Sequence, residues 1–344
     1  MGRVTLKQVA AEAGVSFQTV SKVLNGSVRL PLGTQARIER AAQELGYRPS
    51  HRGRSLRAQR SWALGYSWAP APPDLANPIL DQFLQSMLRA ADECGYHLLA
   101  FPHSPLPEDH QSSYRELIRT GRVDGFVLSN VEYGDPRVRL LLSEGFPFVA
   151  FGRSDPDLEF PWVDVDGAEG VRLATEHLLG KGHRRIAALA WPTSSRVGAD
   201  RLNGYLQGME SVGISPVPDW IARGQGQFEF GRAAARAWLS QPSDQRPTAI
   251  VGLNDAMAIG AMHAARELGL EPGGDLALTG FDDAPMVQYL SPPLTSLRQP
   301  IETFGARVVH MLVDLLEGRT PPASQVLLPP RLIERASSLA PAPP

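Results

Sequence analysis

Short apolar runs alternate with longer amphipathic segments along residues 61–344, and this alternation limits the possible folds more than any other feature. It is typical of β-α-β units, in which parallel strands form a sheet with helices packed on its faces. The predicted strands form two series, at 62–68, 96–101, 125–130 and 147–152 and then at 184–190, 248–253 and 276–281. We therefore expect two α/β lobes with a cleft between them, where strand ends can bind a ligand.

The charges of the chain are unevenly distributed. Its net charge is −2, but the first 60 residues carry 11 Lys and Arg against 3 Glu, whereas the rest carries 23 basic against 33 acidic residues. A small basic segment on a large acidic body favours contact with a polyanion such as DNA. The alternative is a solvated charged surface without a partner.

Three short helices are predicted within residues 5–46. A capping box begins at Thr5, Gly14 allows a tight turn, and Ser16 can cap the second helix. The third helix is predicted to follow Thr34. Two helices joined by a short turn that contains glycine are typical of the helix-turn-helix motif, whose second helix enters the DNA major groove. The alternative is a small three-helix structural unit.

The second predicted helix has side chains suited to DNA on one face, and Ser21 is expected there because it follows Phe17 by four residues. Gln18 can form two hydrogen bonds with adenine, and Lys22 can reach the acceptor edge of guanine. Phe17 offers an apolar contact to a thymine methyl group, and the remaining polar side chains suit phosphate contacts. The DNA contacts predicted in the head are Thr5, Ser16, Phe17, Gln18, Thr19, Ser21, Lys22 and Asn25.

Two stretches of the head are VTLKQVAAEAGVSFQTVSKVLNG and ARIERAAQELGYRPS. They closely resemble the DNA-binding head of the lactose-repressor/galactose-repressor (LacI/GalR) family. The resemblance implies a two-fold dimer that binds double-stranded DNA at a palindromic operator, one half-site for each head. Lys22 occupies a position where arginine is common in the family, which keeps the charge but loses the fork geometry.

The next stretch, SHRGRSLRAQ, corresponds to the hinge helix of that family, which we expect at residues 50–60. The resemblance implies that Leu56 wedges into the minor groove, where such a side chain unstacks a base step and kinks the duplex. Arg54 and Arg57 flank Leu56 and suit the phosphates beside the groove. Gly53 replaces the usual alanine and costs roughly 1 kcal/mol of helix stability.

The resemblance extends over nearly all of the body and implies a two-lobed, periplasmic-binding-protein-like fold. Three motifs support it: ADRLNGYLQGM, GLNDAMAIGAMHA and TGFDDAPMVQYLSPPLTSLRQP. They imply effector contacts by Arg201, Asn254 and Asp282. An arginine, an amide and a carboxylate at strand ends can hydrogen-bond adjacent sugar hydroxyls. The alternatives are a surface arginine, a helix cap and a turn residue.

Two further effector contacts are predicted. Phe228 could stack on the apolar face of a sugar, although an aromatic side chain there could equally belong to the core. The sequence FGR ends a strand where some relatives place a ligand-binding carboxylate, but Gly152 lacks that group and Arg153 could supply a donor instead. Similar aromatic candidates are Trp68, Trp162 and Trp191.

Other classes of function fit less well. Asp164 with Asp166, or Asp282 with Asp283, could form a carboxylate pair for catalysis, but no histidine spacing or phosphate loop accompanies them. A transport-associated sugar-binding protein would require a signal peptide and has no use for a basic helix-turn-helix head. One cysteine and no apolar run of membrane-span length lead us to expect a cytoplasmic protein.

These patterns predict an all-α helix-turn-helix head (1–49) and hinge helix (50–60), joined to an α/β two-lobed body (61–344). The predicted function is repression of carbohydrate-utilisation genes, with release from the operator by a sugar. A non-sugar effector, or a ligand that acts as co-repressor, is the alternative. We expect no enzyme activity, cofactor, metal or membrane contact. A homodimer is favoured over a tetramer, because the final stretch RASSLAPAPP has no apolar heptad repeat.

Overall fold

The computed structural model describes residues 4–24, 30–47, 60–68, 78–102 and 111–339. Its contacts divide the chain into two compact units, Met1–Ser61 and Trp62–Pro344. The described part of the first unit is helical, and that of the second combines helices with strands. Within these ranges, no helix combines the length and the hydrophobicity needed to cross a bilayer.

The first unit contains α1 (Leu6–Glu12), α2 (Phe17–Leu24) and α3 (Leu32–Glu44). The capping box is present, since Gln8 Oε1 accepts a hydrogen bond of 2.8 Å from the Thr5 amide. Gly14 has a φ of +60° in the turn, and Ser16 Oγ accepts a hydrogen bond of 3.1 Å from the Thr19 amide. Both helix starts predicted from these residues are confirmed.

The third helix begins earlier than the sequence predicted. Its first residue, Leu32, directly follows Pro31, so Thr34 lies in the first turn and does not cap the helix. The ring of proline fixes φ near the helical value, which makes Pro31 a suitable residue from which to start. The buried core that joins the three helices consists of Val9, Ala10, Ala13, Val20, Val23, Ile38, Ala41 and Ala42.

The described strands of the second unit form two six-stranded sheets, one in each lobe. The strands of the first lobe are β1 (Ala63–Trp68), β2 (His97–Pro102), β3 (Gly125–Leu128), β4 (Phe148–Phe151), β5 (Trp162–Val165) and β11 (Gln325–Leu328). Those of the second are β6 (Ile186–Ala190), β7 (Ile221–Arg223), β8 (Ala249–Gly252), β9 (Ala277–Asp282), β10 (Thr295–Arg298) and β12 (Arg331–Ile333).

The first sheet has the order β11-β5-β4-β3-β1-β2 and is parallel throughout. The second has the order β12-β10-β9-β8-β6-β7, in which β12 runs antiparallel to β10. Strands β6 and β8 are buried along their whole length. Continuous apolar runs of this kind are expected where helices cover both faces of a parallel sheet.

The described α-helices of the second unit are α4 (Pro78–Glu93), α5 (Ser112–Arg119), α6 (Pro136–Ser143), α7 (Gly167–Gly180), α8 (Arg196–Glu210), α9 (Phe228–Leu239), α10 (Asp255–Glu267) and α11 (Ile301–Leu316). They pack in pairs, α4 with α11, α7 with α8 and α9 with α10. The approach of α7 to α8 depends on Gly204, because a Cβ atom there would lie 2.0 Å from the Ala168 carbonyl oxygen.

The chain passes between the two lobes three times. It leaves the first lobe at Asp166, returns at Gln299 and Pro300, and crosses again between β11 and β12. Each lobe is therefore built from separate stretches of sequence, and the sheets of the two lobes face the same cleft.

Candidate functional site

A cleft of about 650 Å³ lies between the two lobes. Its walls come from the carboxyl ends of strands in both sheets, which is where open α/β sheets bind ligands. Three of the predicted effector residues, Arg201, Asn254 and Asp282, line this cleft together. The prediction of a two-lobed body with a cleft at strand ends is confirmed.

Arg201 is held by α8 with its side chain almost fully buried. Nη1 donates a hydrogen bond of 2.6 Å to the Leu253 carbonyl, and Nη2 lies 3.5 Å from Asp282 Oδ1. Burial lowers the pKa of Arg201 from its ordinary value, and the neighbouring Asp282 opposes that shift. Nε is buried and has no hydrogen-bond partner among the described residues.

Asp282 is the last residue of β9 and has a φ of +112°. Few residues other than glycine adopt this backbone region, and such strain is concentrated at functional sites. Gln299 Nε2 donates a hydrogen bond of 2.7 Å to Oδ1 of Asp282. Burial raises the pKa of Asp282, and the Arg201 guanidinium acts against this rise. The carboxyl group thus combines a fixed position with capacity to accept further hydrogen bonds.

Asn254 has two roles in the structure. Its Oδ1 accepts a hydrogen bond of 2.8 Å from the Met257 amide and caps α10, as the alternative interpretation proposed. Its Nδ2 donates a hydrogen bond of 2.7 Å to the Gly226 carbonyl, which fixes the loop that follows β7 against the cleft. The amide still has one N–H and one lone pair for a ligand.

The cleft also contains acidic residues that the sequence did not assign to it, Asp164 and Glu132. Asp164 lies on β5, and its Oδ2 accepts a hydrogen bond of 2.8 Å from Arg153 Nε. Burial raises the pKa of Asp164, while Arg153 lowers it. Asp166, its suggested catalytic partner, caps α7 by accepting a hydrogen bond of 3.0 Å from the Glu169 amide. The Asp164 carboxylate therefore pairs with an arginine at the cleft, whereas the Asp166 carboxylate caps a helix.

Phe228 and Arg153 are placed differently from the other predicted effector residues. The Phe228 ring packs against His263, with 5.6 Å between ring centroids. Arg153 donates through Nε to Asp164 and through Nη2 to Asp200 Oδ2, so two carboxylates hold its guanidinium. Neither side chain is among the described residues that line the cleft. Trp191 is the predicted aromatic residue that does line it.

In the head, α2 presents Phe17, Gln18 and Lys22 to solvent, and Phe17 is 42% exposed. The prediction that Ser21 shares this face is wrong, because Ser21 is only 5% exposed. Successive helix residues are 100° apart, so a small side chain directly after Val20 can lie at the edge of the buried stripe. Asn25, Leu56 and residues 50–59 of the predicted hinge lie outside the described residues.

The other predicted phosphate contacts surround the starts of α1 and α2. Thr5 donates through its amide and Oγ1 to Gln8 Oε1. Ser16 Oγ lies 2.8 Å from Thr19 Oγ1, so these two hydroxyls bond to each other at the first turn of α2. These capping bonds stabilise the starts of α1 and α2, where the DNA contacts are predicted.

Two family models match the chain. Residues 5–50 match the bacterial regulatory proteins of the lacI family, and residues 175–338 match a periplasmic binding protein-like domain. The regulator CelR of Thermobifida fusca is 32% identical over 97% of this chain and 98% of its own length. The repressor PurR of Proteus mirabilis is 33% identical over 97% of this chain and 96% of its own.

Solved structures agree with these matches. A LacI-family regulatory protein from Chloroflexus aggregans is 55% identical and covers 81% of this chain and 99% of its own, with a TM-score of 0.78. A CelR–cellobiose complex is 30% identical over 97% of this chain and 100% of its own, with a TM-score of 0.74. The lac repressor dimer bound to operator and an anti-inducer is 28% identical over 98% of this chain and 100% of its own, with a TM-score of 0.84. These relatives are transcriptional regulators and not enzymes, and this chain belongs to the LacI family of bacterial transcriptional regulators.

Proposed function

We propose that this protein is a cytoplasmic homodimeric repressor of carbohydrate-utilisation genes, and that a sugar in the cleft releases it from a palindromic operator. The proposal rests above all on the Arg201 guanidinium and the Asp282 carboxyl group, which line the cleft together with Nη2 of Arg201 3.5 Å from Oδ1 of Asp282. A donor and an acceptor placed side by side match two adjacent sugar hydroxyls.

The charge of the cleft supports a neutral ligand. Glu132, Asp164 and Asp282 line it, and Arg201 is the opposing cation among the described lining residues. A phosphorylated or carboxylated effector would be repelled by this excess of carboxylates. The CelR relative in complex with cellobiose supports a di- or oligosaccharide as the ligand class.

The proposed effector contacts are Arg201, Asn254 and Asp282, and we add Asp164 because it lines the same cleft. Phe228 and Arg153 stay predictions from the sequence. The proposed DNA contacts are Thr5, Ser16, Phe17, Gln18, Thr19, Lys22, Asn25 and Leu56; burial of Ser21 makes it the least suitable of the original set. We place the head at 1–49, the hinge at 50–60 and the body at 61–344.

Release follows from linkage. A ligand shifts the equilibrium between two lobe arrangements only by its difference in affinity for them. If the arrangement that binds sugar separates the two hinge segments of the dimer, Leu56 cannot wedge into the operator. By reciprocity, the operator weakens sugar binding by the same factor.

The test is a ligand screen followed by an operator assay. Thermal shifts of the purified protein would be measured with cellobiose and other mono- and disaccharides, with sugar phosphates and purines as controls. The operator would be selected from random duplexes, and release would be followed by fluorescence anisotropy. We expect a neutral sugar to raise the melting temperature and weaken operator binding. A response to anionic or purine ligands alone would contradict the proposal of a sugar effector. Tighter operator binding in the presence of the ligand would indicate co-repression.

A further inference from the structure

An alternating row of charges runs from one lobe to the other beside the cleft. In the first lobe, Arg153 bonds to Asp164 through Nε at 2.8 Å, and its Nη2 reaches Asp200 on α8 of the second lobe. Asp200 also accepts from Arg196, one turn earlier on α8. The side chains of Arg153 and Asp200 are only 20% and 25% exposed, so water screens this pair less than a surface ion pair.

Two further hydrogen bonds join the same two lobes. Glu132 of the first lobe accepts a hydrogen bond of 2.5 Å from the Arg196 amide through Oε2, and one of 3.1 Å from Ser195 Oγ through Oε1. The first turn of α8 is thereby bonded to the opposite lobe, where a carboxylate suits the positive end of the helix dipole. The Arg196 guanidinium carbon lies 5.5 Å from the centroid of the Tyr133 ring, also in the first lobe.

We propose that Arg153, Asp200 and Glu132, with the Ser195–Arg196 turn, form an interlobe clasp that holds the lobes closed and positions Arg201 in the cleft. The inference deepens the proposed function, because it names the groups through which effector binding and lobe arrangement are coupled. It also gives Arg153 a role different from the effector contact predicted from the sequence.

The division of bonds between the lobes explains why this row can act as a clasp. The Asp164–Arg153 and Arg196–Asp200 pairs each lie within one lobe and survive when the lobes separate. The Arg153–Asp200 and Glu132–Arg196 bonds cross the cleft and are lost. Opening therefore leaves Arg153 bonded to Asp164 and Arg196 bonded to Asp200, so these side chains keep their positions for renewed closure. A planar guanidinium is suited to this role because its fork can hold two carboxylates at once.

The clasp shares groups with the cleft at both ends. Asp164, which orients Arg153, lines the cleft, and Asp200 directly precedes Arg201 on α8. A ligand that bonds to Asp164 and Arg201 thus acts on the immediate neighbours of the Arg153–Asp200 pair. Residues in one such network are usually coupled, whereas distant pairs behave independently.

The test measures the distance between the lobes in the full-length protein. With Cys94 changed to Ser, cysteines at the exposed positions Glu144 and Gln241 would carry a donor and an acceptor dye, one in each lobe. Labelled protein would be mixed with excess unlabelled protein, and single-molecule energy transfer would be recorded without ligand and with cellobiose. The variants are Asp200→Asn and Arg153→Lys. The control is Arg172→Gln, which breaks ion pairs to Glu169 and Glu176 within the second lobe.

Without ligand, both clasp variants should shift the population toward longer distances, whereas Arg172→Gln should match the parent. If the parent binds cellobiose, the clasp variants should need a cellobiose concentration about 5-fold higher, or more, for half-saturation. This factor is at the low end of usual coupling factors. If Asp200→Asn does not fold, Arg153→Lys decides the result. Parent-like distances in the folded clasp variants, or an equal shift in Arg172→Gln, would overturn the clasp. If the parent binds no sugar, the proposed effector fails, while the distances without ligand still decide the clasp.

Discussion

The guanidinium carbon of Arg201 lies 3.5 Å from the centroid of the Phe281 ring. The cation therefore stacks on an aromatic face, while Asp282, the residue after Phe281, supplies its counter-charge. One strand end thus fixes both the orientation and the charge balance of the arginine, and the plane of the guanidinium is set before any ligand arrives.

Replacement of Arg201 should abolish the sugar response and preserve operator binding. Arg201→Ala removes the guanidinium from the cleft, and Arg201→Lys keeps the charge but loses the flat group that stacks on Phe281. We expect both variants to lack the thermal shift with sugar while anisotropy shows operator affinity close to the parent's. A full sugar response in Arg201→Lys would show that charge alone is sufficient.

Gln18→Ala should relax sequence preference at one base position. Gln18 is exposed on α2, where its amide can pair with adenine, so its loss should cost roughly 1–3 kcal/mol at that position. Selection of bound duplexes from a random pool would measure the change. The matched control is Gln43→Ala on α3, which is also exposed and should leave the preference unaltered.

Gly204→Ala should destabilise the body. A Cβ atom at Gly204 would lie 2.0 Å from the Ala168 carbonyl oxygen, so α7 and α8 would have to separate. Overpacking of this kind costs about 1–3 kcal/mol in the free energy of unfolding. Gly180→Ala is the control, since no atom lies within 4 Å of a Cβ there, and it should be neutral or slightly stabilising. Urea unfolding of both variants at equal protein concentration would decide between these outcomes.

Glu132 should make the stability of the body depend on pH. Burial raises the pKa of Glu132 above its ordinary 4.5, although the Arg196 amide and Ser195 hydroxyl act against the rise. The folded protein then binds this proton more tightly than the unfolded chain. The contribution to the unfolding free energy is therefore full below pH 4.5 and is lost as pH rises through the folded-state pKa.

The measurement compares the parent with Glu132→Gln by urea unfolding at about pH 5 and about pH 7. The unfolding free energy of the parent minus that of the variant should be lower at the higher pH. Because Asp164 and Asp282 are present in both proteins, their own titration cancels to first order. A difference that grows with pH would show that the hydrogen bonds at Glu132 outweigh its burial.

The sequence predicted elements whose signals are local. Apolar runs located β1, β3, β4, β6 and β8, and the caps at Thr5 and Ser16 located two helix starts. The short strands β7 and β12, of three residues each, were not predicted, because so few residues show no periodicity. Ser21 was misplaced because spacing alone does not distinguish the edge of a buried stripe from its exposed neighbour.

The cleft was only partly predictable for a related reason. Arg201, Asn254 and Asp282 occur in motifs that resemble a family, so each could be named from the sequence. Asp164 lies on β5 and Glu132 follows β3, and their roles depend on partners elsewhere in the sequence, such as Arg196 at 64 positions from Glu132. No local pattern encodes that pairing, which exists only once both sheets have formed.

The threefold passage between the lobes has a consequence for synthesis of the protein. Strands β11 and β12 come last in sequence among the described strands, yet each occupies an edge of a different sheet. Because a chain emerges from the ribosome amino end first, neither lobe can be completed until its last strand has been synthesised. A nascent chain that stops before Gln325 would leave two unfinished sheets with β5 and β10 exposed as edges, so a single late truncation should harm both lobes at once.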